Sequence, residues 1–219
     1  MMRTLCCSVA ILGLPGSLFA DYYVDEVGDI FDPGLTNLDL VGAELTNTDT
    51  DLIVSMDFAD LGADWGKYLF MIDRVGHDGQ SMTNPWERTI STPGGIDGFL
   101  GSWIDGGGGA LTYMTDASAG WLDTAGAGLD IDWEGDRITY TIALASLGLS
   151  VGDSFTFEVA TTGGNNGDPA IDLLGTGDVQ PGWGGGSSSP MANSYTVVPA
   201  PGAICLALVL GRPTRRRRD

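Results

Sequence analysis

DRITYTIAL, residues 136–144, and SFTFEVATT, residues 154–162, decide how this chain folds. In the first, Ile138, Tyr140 and Ile142 alternate with polar neighbours; in the second, Phe155, Phe157 and Val159 do the same. A period of two puts the apolar set on one face of an extended strand, whereas a helix would scatter it around the axis. The apolar residues are β-branched or aromatic, the types that fit a pleated, half-buried surface. LASLGLSVGD (144–153), which links the two runs, has room for one short helical turn.

The flanking sequence repeats the pattern. LDLVGAELT (38–46) and DLIVSMDF (51–58) are separated by NTDT, a hairpin-like turn, and KYLFMID (67–73), FLGSWI (99–104) and ALTYMT (110–115) follow. Gly, Asp, Asn and Pro fill the gaps, and no segment between the two ends keeps a helical period over three turns. GWGGGSSSP (182–190) reads as a flexible linker before a last strand, NSYTVV. The expected fold is all-β: an antiparallel β-sandwich of jelly-roll type over residues 21–181, then a linker and last strand over 182–196. Flanking it are an N-terminal signal helix in residues 1–20 and a short apolar helix in the 197–219 tail.

Charge narrows the partners. Between Asp21 and Val198 the basic residues are Lys67, Arg74, Arg88 and Arg137, against 28 acidic ones, a balance of −24. A field of that sign repels nucleic acid and argues against binding it. Most of the acids are Asp, the short carboxylate of turns and calcium loops, although a solvated acidic surface suited to salty water has the same composition. Cys6, Cys7 and Cys205 all lie in the terminal segments, so the central region has no disulfide framework, zinc knuckle or thiol nucleophile.

The two ends read as addresses. MMRTLCCSVAILGLPGSLFA has one arginine, an apolar run of about a dozen residues and small residues before Ala20, the layout of a secretory signal peptide. At the other end, Val198, Pro199, Ala200, Pro201, Gly202 and Ala203 precede ICLALVLG and then Arg215, Arg216, Arg217 and Arg218. A Pro-rich turn, an apolar stretch and an arginine cluster make a membrane-stop element with its cations on the cytoplasmic side. This resembles the PEP-CTERM sorting signal of bacterial exosortase systems. The resemblance implies transient inner-membrane anchoring, processing by an exosortase-type transpeptidase, and delivery to the cell surface or its extracellular matrix. Two features depart from that family: Ala200 stands where Glu is usual, and Gly202 to Gly211 spans roughly 15 Å as a helix against about 30 Å of hydrocarbon.

The start of the central region carries a second resemblance. Asp25, Gly28, Asp29, Asp39 and Leu40 match the D-x-x-G-D and F/L-D-L pattern that opens carbohydrate-binding modules of the family 9 and glucodextranase C-terminal type. This likeness covers roughly residues 21–160. It implies a jelly-roll sandwich, a structural calcium with Asp25, Asp29 and Asp39 as candidate ligands, and in some members sugar binding.

Candidate chemistry is sparse elsewhere. GLDIDWEG (128–135) is similar to the acidic strand of family 18 chitinases through Asp130, Asp132 and Glu134, but those enzymes need an eight-helix barrel that these strands cannot supply. A small glycoside-acting enzyme using Asp132 and Glu134 is the alternative to a binding or structural role. The competing reading is a solvated edge strand with Leu129, Ile131 and Trp133 facing inward. His77, the single histidine, sits in a Gly-flanked loop and is expected to be exposed. TNTDTD (46–51), HDGQ (77–80) and NNGDPAID (165–172) cluster hard-cation ligands, and Asx turns use the same residues without metal. Among six tryptophans, Trp65, Trp133 and Trp103 are expected in or near the core, and Trp183 in a loop. Trp86 and Trp121, also in loops, are the candidate platforms for polysaccharide, the alternative being that they cap the sandwich ends.

Overall fold

The computed structural model describes residues 20–77, 80–175 and 183–200. Its chain folds into two stacked, antiparallel β-sheets. The first sheet runs β1 (Asp21–Val24), β2 (Leu40–Asn47), β3 (Asp51–Phe58), β10 (Arg137–Ala143) and β9 (Gly128–Asp132). The second runs β12 (Ala170–Leu173), β11 (Ser154–Thr162), β4 (Lys67–Arg74), β6 (Gly98–Trp103), β7 (Gly109–Asp116) and β8 (Gly120–Asp123). A last strand, β14 (Asn193–Thr196), pairs with the first half of β11, and β12 pairs with its second half. The expected helical turn is a 3-10 turn at Leu144–Leu147, closed by Gly148 in the left-handed region at φ 59°. Among the described residues no helix is long and apolar enough to cross a membrane.

Alternation produces the core. Val54, Met56, Ile138, Tyr140 and Ile142 of the first sheet face Tyr68, Phe70, Ile72, Leu100, Phe155 and Phe157 of the second, all fully buried. Each large side chain removed from water contributes about 1.5–3 kcal/mol, so this layer dominates the stability. Its hydroxyls are satisfied: Tyr140 Oη and Ser102 Oγ lie 2.7 Å apart across the layer, and Tyr68 donates to the Asn37 carbonyl at 3.1 Å.

The second sheet is also covered on its other face. Leu69, Met71, Phe99, Ala160, Ala170 and Leu173 point away from the first sheet and form a second apolar cluster with Ile90, Ile96 and Met191. The cover comes from the long β4–β6 connection, which carries β5 (Ile90–Ser91), and from β13 (Ser187–Ser188), which pairs with β5 in parallel. Burial on both faces explains why KYLFMI is a continuous apolar run without alternation. The Gly/Ser-rich stretch expected as a linker is packed at its Ser187–Ser189 end, while Trp183, Gly184 and Gly185 are exposed. Ser187 and Ser189 are buried, and Ser189 donates to the Glu158 carboxylate.

Two of the expected core tryptophans are exposed instead. Trp133 lies in the β9–β10 turn at 45% exposure because the strand ends at Asp132, and only Leu129 and Ile131 pack inward. Trp65, 38% exposed, precedes β4 and leans on Trp183 at 6.2 Å between centroids.

Candidate functional site

Two places gather side chains with binding chemistry. At one edge of the sandwich the loop after β1 meets β12. Asp25, Asp29 and Asp172 bring one carboxylate oxygen each to within 4.8 Å of one another. Backbone amides fix two of them: Gly175 N donates to Asp25 Oδ1 at 2.9 Å, and Leu40 N to Asp172 Oδ2 at 2.7 Å. The second oxygen of Asp25 is buried without a partner. No lysine or arginine among the described residues forms an ion pair with the group. Burial, reinforced by the neighbouring carboxylates, pushes Asp25 up to about 6 and Asp172 up to about 8, and Asp29 is raised for the same reasons.

Converging oxygens, one of them orphaned in a buried setting, fit a hard divalent cation such as calcium. Asp39, an expected ligand, sits beside the cluster and does another job. Both its oxygens accept from Gly28 N, at 3.0 and 3.1 Å, which bends the loop that presents Asp29. Asp172 lies in one of the Asp-rich stretches marked in the sequence, but nothing local linked it to Asp25.

Other residues of the calcium-loop stretches make hydrogen-bonded turns. Thr48 Oγ1 accepts from Thr50 N and Asp51 N, and Asp168 Oδ2 accepts from Asn165 N. The 77–80 stretch lies partly outside the described residues, though His77 itself is exposed as expected.

The second place is the outer face of the second sheet. Lys67, Trp103 and Gly109 are cross-strand neighbours on β4, β6 and β7, as are Leu69, Gly101 and Leu111 in the next row. Trp86, carried by the β4–β5 connection, lies over Gly101: a Cβ there would come 2.5 Å from the indole Cζ2. Gly109 leaves room for the Trp103 ring in the same way. Trp86 contacts Phe99 and Trp103 at 5.7 and 6.3 Å, and Phe99 also meets Tyr113 at 6.0 Å and Trp121 at 6.4 Å. Trp121 Nε1 donates to Thr83 O at 2.8 Å. Trp86 and Trp121 are thus half-buried on one face and share Phe99; they do not sit at separate sandwich ends.

Two clefts flank the Pro85–Arg88 turn. One, about 480 Å³, lies between Trp86 and Trp103 with Lys67 and Asn166; the other, about 530 Å³, lies against Tyr113 and Trp121. Asn84 clamps the turn, accepting from Arg88 N at 3.0 Å and donating to Arg88 O at 2.8 Å. Glu87 adopts φ 55°, an uncommon conformation for a residue with a side chain and one that marks a locally over-determined backbone. Glu87 also accepts from Asn166 Nδ2 at 3.3 Å.

The alternative catalytic pair belongs to neither of these places. Asp132, the last residue of β9, and Glu134, in the turn after it, are exposed, and Asp132 Oδ1 accepts from Glu134 N and Gly135 N at 3.2 and 3.0 Å. Neither lines the clefts beside Trp86. Of the sorting residues, Val198 and Ala200 are tied to the β2–β3 turn. Asn47 brackets Val198 through its amide and carbonyl at 3.1 and 2.7 Å, and Ala200 N donates to Asp49 Oδ1 at 2.8 Å. Pro201 and Arg215 to Arg218, like the signal segment, lie outside the described residues.

No protein-family model matches the chain, and no curated protein matches it. What the residues themselves define is an all-β sandwich with an acidic cluster at one edge and an aromatic, cleft-bearing outer face.

Proposed function

We propose that this chain is an exported, non-enzymatic jelly-roll protein of the cell surface or extracellular matrix that binds polysaccharide across its aromatic face and holds a structural calcium. One observation carries the binding reading: Trp86 and Trp121 converge on Phe99, with Trp103 and Tyr113 beside them, and line clefts that share a rigid turn. Sugar rings are recognised by flat aromatic surfaces bordered by a few placed polar groups, which is the composition here. Calcium fits Asp25, Asp29 and Asp172, where it would neutralise converging carboxylates and tie the β1–β2 loop to β12. Export and surface delivery rest on the signal-like start and the PEP-CTERM-like end, with an exosortase-type transpeptidase as the processing partner.

Affinity electrophoresis of the full chain against insoluble and acidic polysaccharides, in calcium, tests the reading. The expected result is retardation by at least one polymer, lost in Trp86→Ala and Trp121→Ala and unchanged in Glu134→Gln. No retardation by any polymer would leave a structural surface component.

A further inference from the structure

The acidic balance of the domain makes the placement of its few cations informative. Arg74 is committed to a buried pair with Asp97 at 3.0 Å. Arg137 is committed to Asp57 at 2.6 Å and Glu44 at 3.0 Å. The remaining two, Lys67 and Arg88, both line the cleft between Trp86 and Trp103.

Arg88 is the unusual one. It is 7% exposed, yet it forms no ion pair with a carboxylate among the described residues. Its Nη1 donates to the Asn165 carbonyl, its Cζ lies 5.8 Å from the Trp86 ring centroid, and its Nε is buried without an acceptor. A buried guanidinium short of acceptors is costly unless an anion completes it, and guanidinium matches a carboxylate in a planar, bidentate way. Asn84 fixes the Arg88 backbone, and the Asn165 carbonyl and the Trp86 ring hold the guanidinium. Lys67 Nζ, 2.8 Å from the half-exposed Asp105, borders the same cleft. Two carboxylates oppose an anion here: Glu87 lines the cleft and Asp168 lies close enough to bear on Arg88.

We propose that the Trp86–Trp103 cleft is a subsite for an acidic sugar unit, a uronate whose ring stacks on the indoles while its carboxylate meets Arg88 and Lys67. This rests on the polysaccharide-binding reading and makes it specific. The field of the whole domain repels anions at long range, but at physiological salt it is screened beyond about 8 Å, so contact inside the cleft is decided by the donors of Arg88 and Lys67 set against Glu87 and Asp168. Binding should therefore weaken when salt is lowered to about 10 mM, where repulsion reaches about 30 Å. A nonspecific basic patch would show the reverse.

The test is titration of the full chain, in calcium and about 0.15 M salt, with galacturonate, glucuronate and mannuronate trisaccharides and their methyl esters. The expected result is that one acid form binds at least tenfold tighter than its ester. Lys67→Gln and Arg88→Gln should each remove most of that difference without changing ester binding. Lys67→Gln, at a partly exposed position, keeps the test valid if Arg88→Gln fails to fold. Equal binding of acid and ester overturns this proposal and leaves polysaccharide binding standing; binding of neither also overturns it, and polysaccharide binding falls with it only if affinity electrophoresis shows no retardation by any polymer.

Discussion

The Asp25 carboxylate has one oxygen held by Gly175 N and one buried without a partner. Asp25→Asn separates a metal ligand from a merely strained acid, because the new amide can donate to Asp29 and Asp172. In chelator, Asp25→Asn should melt at or above the wild type. In calcium, the wild type should gain about 5–10 °C, since ligand at about a hundred times its Kd contributes about 2.7 kcal/mol, and the Asp25→Asn variant should gain almost nothing. A calcium-induced shift retained by the variant would remove Asp25 from the site. Glu158 supplies a separate test. Burial under Ser189 pushes it up to about 8, and its oxygens take Ser189 Oγ and Val159 N. The fold therefore favours the neutral acid, whose contribution is full below about pH 4.5 and is lost as pH rises towards about 8. Glu158→Gln imitates that acid: its Oε1 still accepts from Val159 N, and its Nε2 donates to Ser189 Oγ in a reversal of the native bond. Its melting temperature relative to wild type should climb between about pH 5 and pH 8, and thermal scans across that range read it directly. Asp25 and Asp29 were legible in sequence because D-x-x-G-D is a local pattern. Asp172 joined them only through tertiary folding, which no spacing reveals.

Strands were the legible elements. DLIVSMDF and SFTFEVATT became β3 and β11 at the expected residues because alternation and turn chemistry agree there. The cover over the outer face was not legible. The β4–β6 connection and the Ser-rich stretch have no period, and they stay in place through clamps such as Asn84 and single side-chain contacts such as Ser189 to Glu158. Glycine inside a strand was the missed signal. Gly101 on β6 is where Trp86 lies flat, so Gly101→Ala places a methyl inside the ring's contact distance. The expected outcome is a displaced Trp86, a red shift in tryptophan emission, about 1–3 kcal/mol lost from stability and retardation by polysaccharide abolished. Retardation that survives would mean that Trp86 is not the platform.

Across the whole molecule, the acidic edge and the aromatic face share one segment. Asn165 holds the Arg88 guanidinium, Asn166 lines the cleft beside Trp86, and Asp172, a few residues on, belongs to the acidic cluster. A cation bound at that cluster would fix β12 and, through the same segment, the loop that places Arg88. Chelation should weaken polysaccharide binding several-fold at a temperature where the fold is intact, as read by titration with circular dichroism as control. Unchanged affinity would uncouple the two sites. The anchoring near the end of the described chain has a mechanical consequence. Val197 is fully buried, β14 is paired along β11, and Asn47 brackets Val198. If the protein is tethered to a surface beyond residue 200, tension enters at the β2–β3 turn and at β14 together. The load is then shared between both sheets from its first point of application, and no single strand can be peeled away before the Asn47 bracket gives.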